Sequence, residues 1–471
     1  MTSSTEKPST LALMKKVEEA AVACNRCGFC TSYCPTYAAT GSEVLSPRGR
    51  NQMFRALLEN KVHHVQEADR AIQTCLLCGE CTSICFSEVP TADLMVLARD
   101  YIRREQGGDK HLRLFFKYVL MRPLVLGSLL HAAFALKKLG VLWALEVSGL
   151  LPRFAPALSA MDRLVKKVPL RFLQENHRLW PYLEQTFERV ERRVVKARIQ
   201  VGRANNDLKP VKQKLLTLAG RTIKRPSVAY MPVCGSQYLR PSIGLATFSL
   251  LKEMGVQAIV PKVLCCGLPA ASVGVLRDAR EIAKENIVSL ERGKYDSILA
   301  DDSSCTAHLK DYPKYFMGDP EWVSRAEVLT SKVRELSGFL VGHGLQEILK
   351  KKPWGGLPIA YHDPCKAQYS QKSVNPPRVL LLSIPNLKLL PVPEADQCCG
   401  GGGSYSFTHP DLSKRVLRSK IDNIISTGAG IVVTSSTSCL IQLASGLHER
   451  NSKIEVLHLS EFLHRALSKG R

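Results

Sequence analysis

The sixteen cysteines of this 471-residue chain fall into two repeated frames, with none left over. The first frame is C-x2-C-x2-C-x3-C. It occurs at Cys24, Cys27, Cys30 and Cys34, and again at Cys75, Cys78, Cys81 and Cys85, each 51 residues after its counterpart. The second frame is C…CC…C, at Cys234, Cys265, Cys266 and Cys305 and again at Cys365, Cys398, Cys399 and Cys439, with offsets of 131 to 134 residues. Cysteine thiolates in short runs of the first kind ligate iron–sulfur clusters. Three thiolates of a run grip one cluster, and in two-cluster proteins the fourth reaches across to the other. One [4Fe-4S] cluster is therefore assigned to Cys24, Cys27, Cys30 and Cys85, and a second to Cys75, Cys78, Cys81 and Cys34. Zinc sites also use C-x2-C, but they close as two pairs of ligands. Four cysteines in one run, twice over, fit zinc poorly. Cys34 precedes Pro35, as the run expects, whereas Cys85 precedes Phe86. That departure concerns the local turn, because a proline supplies geometry and no electrons.

These cysteines need elements to position them. Between the two runs, Ser46-Pro47 predicts an N-cap and first helical residue before RGRNQMFRALLEN. After the second run, Thr91 is expected to cap ADLMVLARDYIRREQ, with Leu94, Leu97, Ala98 and Tyr101 on one face. Residues 1–106 thus read as a helix-rich two-cluster ferredoxin domain. In the second frame, SVAYMPVC, QAIVPKVLCC and YDSILADDSSC are short apolar runs that each end in cysteine. PIAYHDPC, KLLPVPEADQCC and AGIVVTSSTSC repeat the pattern. The helical stretches LRDAREIAKENIVSLER and LSKRVLRSKIDNIIS lie between them. Strand–helix alternation predicts small parallel sheets, one over residues 226–350 and one over 351–471. Ligands of such sheets sit beyond the C-terminal ends of the strands, where these cysteines fall. Cysteine also packs as a small buried hydrophobe, but recurrence in register favours a further iron–sulfur site or sites. Gly400 to Gly403 lack the lysine of a phosphate-binding loop and are read as room for close backbone approach. His362 and His308 are expected to pack or cap, and Asp302 is expected to be a solvated loop carboxylate.

The formal net charge is +23, from 65 Lys/Arg and 42 Asp/Glu. The segment 107–225 carries 24 Lys/Arg against 8 Asp/Glu, most of the excess. Its first part is apolar and broken by prolines. From His177 to Gln200 a stripe of Trp180, Leu183, Phe187, Val190 and Val194 predicts an amphipathic helix. A helical, basic linker follows from both. It is expected to pack on the protein or to meet an anionic membrane or an acidic partner. No nucleic-acid-binding motif is present, so nucleic acid is not expected. The longest uncharged apolar stretch, 123–136, is shorter than the roughly 20 residues of a spanning helix. The N-terminal residues lack an apolar signal core, which predicts a reducing compartment where thiols stay free.

CCGLPAASVG at 265 and YHDPC…CCGGGGSYSF at 361–407 resemble the cysteine-rich CCG domain pair of heterodisulfide reductases. The iron–sulfur subunits of glycolate oxidase, D-lactate dehydrogenase and anaerobic glycerol-3-phosphate dehydrogenase carry the same pair. With two ferredoxin runs ahead of it, the whole chain is most similar to the glycolate oxidase type. The resemblance implies an α+β architecture, with a FAD-containing dehydrogenase subunit as partner and a quinone as acceptor. It further implies a peripheral position on the inner, cytoplasmic face of the cell membrane. Heterodisulfide reductase domains end in C-x-x-C, whereas Cys305 and Cys439 each stand alone, with Asp302 and Ser436 three residues before them. A simpler four-thiolate cluster, in one half or shared, is therefore expected. The sequence has no GxGxxG loop, no flavin-binding stretch and no base suited to a 2-hydroxy acid. The expectation is a non-catalytic electron-transfer subunit, with hydroxy-acid oxidation on another chain. A heterodisulfide-cleaving subunit and a glycerol-3-phosphate dehydrogenase subunit are the alternatives.

Overall fold

The computed structural model describes residues 19–62, 64–106, 110–149, 169, 171–175, 226–261 and 265–468. The expected helix across 177–200 lies outside them. In the N-terminal domain Pro35–Thr40 forms a short helix, with Cys34 at its N-cap and Pro35 in its first turn. The next helix, Pro47–Leu58, is capped by Ser46, whose hydroxyl accepts from Gly49 N at 2.9 Å. The helix Thr91–Glu105 starts at Thr91 itself. Thr91 does not cap it; its hydroxyl accepts from Asn51 Nδ2 at 2.9 Å instead. Phe54, Leu57, Ile72, Leu94, Met95, Ala98 and Ile102 close the core of this domain. Phe86, standing where Pro35 stands in the first run, is 83% exposed against Phe29, and the chain turns there without starting a helix.

The C-terminal half holds two four-stranded parallel sheets of identical order. The strands are β1 (Ser227–Met231), β2 (Gln257–Ile259), β3 (Ser297–Ala300) and β4 (Val333–Glu335), arranged β2-β1-β3-β4. The second set is β5 (Ile359–His362), β6 (Leu389–Leu390), β7 (Ile431–Thr434) and β8 (Glu455–His458), arranged β6-β5-β7-β8. Six of these match the apolar runs that end in cysteine; β4 and β8 add an outer strand to each sheet. The central strands are buried along nearly their whole length, as expected where helices cover both faces. The two sheets share one core. Val228, Tyr230 and Leu251 from the first half meet Ile359, Tyr361, Val433 and Phe462 from the second. Each fully buried Leu, Val or Phe of this kind contributes about 1.5–3 kcal/mol, so neither half is an independent appendage.

Between these parts, Pro123–Lys138 and Val141–Val147 form a helical hairpin. Phe134 and Phe172 anchor it on Tyr238, beside Cys234. Leu173 inserts over Gly244, where a Cβ would come 2.3 Å from the leucine Cδ2. No single helix among the described residues is long and apolar enough to cross a membrane. One pair, His111–Leu120 and Leu124–Lys138, meets that test together but is bent by 96°.

Candidate iron–sulfur sites

The two ferredoxin runs repeat each other in backbone as well as sequence. Each has a left-handed residue before its second cysteine, Arg26 and Leu77, and a left-handed glycine after it, Gly28 and Gly79. Positive φ at a leucine is costly and clusters at functional sites. It turns successive backbone segments around one centre. Burial, then the charges of Cys24, Cys85 and Cys27, pushes the Cys30 thiol up to about 11. The structure therefore gathers Cys24, Cys27 and Cys30 with Cys85 of the other run. Cys81 is likewise raised, by burial and then by Cys75 and Cys34. Cys34, Cys75, Cys78 and Cys81 line one cavity together with Arg50.

In the second frame all eight cysteines lie beyond the C-terminal ends of their strands, four to each sheet. Cys234 and Cys365 each open a π-helical turn, Gly235–Leu239 and Lys366–Ser370. Such turns are rare and frequent at functional sites. In each CCG turn the glycine is left-handed and its N–H faces the first cysteine. Gly267 N lies 3.4 Å from Cys265 Sγ, and Gly400 N lies 3.4 Å from Cys398 Sγ. A Cβ at Gly400 would sit 2.7 Å from Ser413 O. The thiols run in contact from Cys265 to Cys266 to Cys305, with Cys234 close by. In the second half they run from Cys365 to Cys398 to Cys399 to Cys439. Four thiols gather in each half; the two sets are not pooled. Cys305 and Cys439 both stand in the first turn of a helix, Ser303–Lys310 and Thr437–Glu449, where the helix dipole favours a thiolate.

Buried thiols packed this closely cannot all ionise unless a cationic group takes up their charge, which a bound metal does. The donor chemistry thus fits iron–sulfur ligation in both frames. The surroundings of the two sheets differ. Lys366 faces Cys365 and Lys420 faces Cys398 and Cys399, whereas among the described residues no such cation faces the thiols of the first half, and Asp302 faces Cys234 and Cys305 there and Cys439 in the second half.

Contacts link each of the four sites to the next, beginning with Cys30 beside Cys81. Cys78 is pushed well above its usual range by burial and then by Cys365, across the domain boundary. Leu76, Cys78, Cys398, Tyr405 and Val416 pack as one apolar cluster there. Arg99 fastens the ferredoxin domain to the first cysteine-rich domain as well. Its guanidinium donates to the carbonyls of Ile72, Gln73 and Cys75 on one side and of Ser272 on the other. The two sheets then meet through Asp302. It is buried (5% exposed), and its carboxylate accepts from Ser304 N and Cys305 N in its own half. It also accepts from Thr437 N and Ser436 Oγ in the other half. The expectation of a solvated loop carboxylate is therefore corrected: four donors hold this group in the interior.

Comparison with known proteins agrees with this layout. Residues 20–89 match the family model of the 4Fe-4S dicluster domain, and residues 228–310 and 359–444 that of the cysteine-rich CCG domain. Lactate utilization protein A of Exiguobacterium sp. is 32% identical over 249 residues, which cover 52% of this chain and 100% of that protein. A protein of Bacillus subtilis described as a probable glycolate oxidase iron-sulfur subunit is 28% identical over 451 residues, covering 93% of this chain and 92% of the relative. This chain belongs to the glycolate oxidase iron–sulfur subunit family. The glycolate oxidase iron-sulfur subunit of Escherichia coli is 26% identical over 462 residues, covering 95% and 94%.

Within this family frame, the features that spacing alone did not reveal are the polar groups around the thiols. Arg50 is 1% exposed. It donates to Ala71 O, to the hydroxyls of Thr36 and Thr74, and to Cys34 Sγ at 3.9 Å. Asn51, the next residue, donates to Cys24 Sγ at 3.9 Å. One helix thus serves both ferredoxin sites, with a cation at one and a neutral amide at the other. The signal was available, because Arg50, Phe54 and Leu57 share the buried face at helical spacing. Arg50→Gln is expected to lower the reduction potential of the group held by Cys34, Cys75, Cys78 and Cys81. The shift is on the order of 100 mV, from one charge near 4 Å at an intermediate dielectric. The Cys24 group should move far less. Redox titration followed by spin resonance resolves the two.

Proposed function

We propose that this chain is the electron-transfer subunit of a 2-hydroxy-acid dehydrogenase. It takes electrons of glycolate or D-lactate from a FAD-containing partner subunit and passes them to a quinone at the membrane. The observation that carries this reading is the serial order of the thiol sites. The Cys85 group comes first, then the Cys34 group, the Cys365 group and the Cys234 group, and beyond the last lies the apolar hairpin. Clusters bound there would move electrons singly, at potentials set by charge, hydrogen bonds and exposure. The chain's own residues keep the row intact. Leu76, Tyr405 and Val416 exclude water between the second and third sites, and Asp302 locks the third to the fourth. The names of the relatives, glycolate oxidase and lactate utilization, supply the two candidate hydroxy acids.

The test is anaerobic copurification with iron, sulfide and flavin counted. Flavin on a second polypeptide, and reduction of this chain's visible chromophore when the hydroxy acid is added, are the expected results. Flavin that stays reduced beside a fully oxidised chain would end the relay reading.

The acceptor end is argued from the hairpin. Leu124, Leu129, Leu136, Leu139, Trp143 and Val147 are exposed on it, with Lys117, Arg122, Lys137 and Lys138 around them. An exposed apolar face rimmed by cations suits a helix pair lying in the interface of an anionic bilayer. Changing those four cations to Gln removes about 1 kcal/mol each near such a surface. Binding to anionic vesicles should then fall by several hundred-fold, as roughly 4 kcal/mol implies. Cosedimentation measures it, and equal binding of both proteins would assign the hairpin to a protein partner instead.

A further inference from the structure

His362 ends β5 and is 1% exposed, with neither ring nitrogen hydrogen-bonded. A buried polar group without a partner calls for a specific reason, an unseen ion among them. Across the sheet its register partner, Thr434, also has a buried hydroxyl with no partner. A ligand atom of the His362 ring lies with the thiols of Cys399 and Cys439 in a set whose members are all within 4.8 Å of one another. Donors that share a tetrahedral metal atom at 2.0–2.3 Å lie about 3.3–3.8 Å apart, so closure by about 1 Å at most suffices. Room for such a group is present, because Gly401 is positioned so that a Cβ would meet Cys399 Sγ at 3.4 Å and Ser438 O at 3.3 Å. The first half differs: His308 Nε2 is also buried without a partner, but among the described residues no histidine there joins two thiols in such a set. Met231 ends β1 where His362 ends β5, and His308 there already meets the Tyr315 hydroxyl through Nδ1.

We propose that His362 is a fifth protein ligand in the second cysteine-rich domain, bonding through a ring nitrogen to an iron atom that also takes Cys399 and Cys439. The proposal rests on reading the second frame as an iron–sulfur site. A neutral imidazole adds a ligand without adding negative charge, whereas a fifth thiolate in its place would add one and lower the potential. Lys366 and Lys420 also offset negative charge at this site, and Asp302 beside Cys439 opposes them.

The experiment uses the full chain assembled without oxygen and labelled with 15N-histidine. Pulsed spin resonance on the reduced protein is expected to show an imidazole nitrogen coupling in one signal. That coupling should change with the isotope and vanish in His362→Ala, while the signals of the two ferredoxin sites stay as they were. His362→Cys should keep the signal, lose the coupling and shift the potential downward. Absence of the coupling in the unaltered chain overturns the proposal without any variant having to fold. Persistence of the coupling in His362→Ala, or zinc at this site by X-ray absorption, also overturns it. The relay reading is separated by electron uptake from the reduced flavoprotein. Uptake without the coupling strikes the ligand alone, and the coupling without uptake strikes the relay alone.

Discussion

Cys78→Ala in the assembled complex is expected to stop electron flow from the hydroxy acid to the quinone while leaving flavin reduction by substrate untouched. Among the described residues, Cys78 stands at the one junction where a ferredoxin thiol and the thiols of a cysteine-rich domain share an apolar cluster. Alanine leaves no donor atom, and the cavity formed by Cys34, Cys75 and Cys81 loses its fourth thiol. Removing an outer-shell partner of a metal site typically costs roughly 10–100-fold, and deleting a ligand in a series path should exceed that. One of the two ferredoxin signals should disappear. Cys30→Ala should remove the other, since Cys30 groups with Cys24, Cys27 and Cys85. Its turnover defect should match, because sites in series fail alike. Stopped-flow spectroscopy separates flavin reduction from its reoxidation. Normal flavin reoxidation in Cys78→Ala would break the proposed order of sites, and slowed flavin reduction would place substrate chemistry on this chain.

How much of this was legible in the sequence follows from what fixes each feature. Ligand spacing is local chemistry, so the two ferredoxin groupings were read directly from C-x2-C-x2-C-x3-C. The four central strands are uniformly apolar and so were visible, and the edge strands β2 and β6 were marked by the apolar runs that end in a cysteine pair. β4 and β8, the other two edge strands, lead into helices with no cysteine after them, and VRE or EVLH has no run length to announce it. The polar groups were hidden for a different reason. His362, Asp302 and Arg50 act through neighbours that are remote in sequence, and periodicity carries no information about partners. Asp302 illustrates the loss most clearly. It follows an apolar strand and precedes two serines, the usual signature of a helix cap, and half of its partners lie 134 and 135 residues away. The Thr91 cap failed on a similar point, because Asn51 claims its hydroxyl from another helix.

Asp302→Ala should produce the largest loss of stability among single changes away from the cysteines. The carboxylate caps the helix of Cys305 through Ser304 N at 2.8 Å and Cys305 N at 3.4 Å. It also accepts from Thr437 N at 2.6 Å, the first residue of the helix of Cys439. That second helix has Ser436 at its N-cap, yet the serine makes no capping bond of its own and donates to Asp302 instead. Each cap contributes about 1 kcal/mol, and buried donors left unpaired cost about 1–3 kcal/mol apiece. These terms share one group and do not add fully, so about 3–5 kcal/mol is expected for the pair of halves. Asp302→Asn keeps one acceptor oxygen and should cost less. Ser436→Ala removes a donor and leaves the carboxylate three others, so its cost should stay near 1 kcal/mol. Denaturant unfolding of the three variants gives the ranking. The ranking tests whether the cap works across the boundary, because a cap confined to its own half would make Ser436, and not Asp302, the residue on which the Cys439 helix depends. Under the crossed arrangement Asp302→Ala should also loosen both thiol sites together, seen as faster labelling of Cys305 and Cys439 by a thiol reagent in protein stripped of iron.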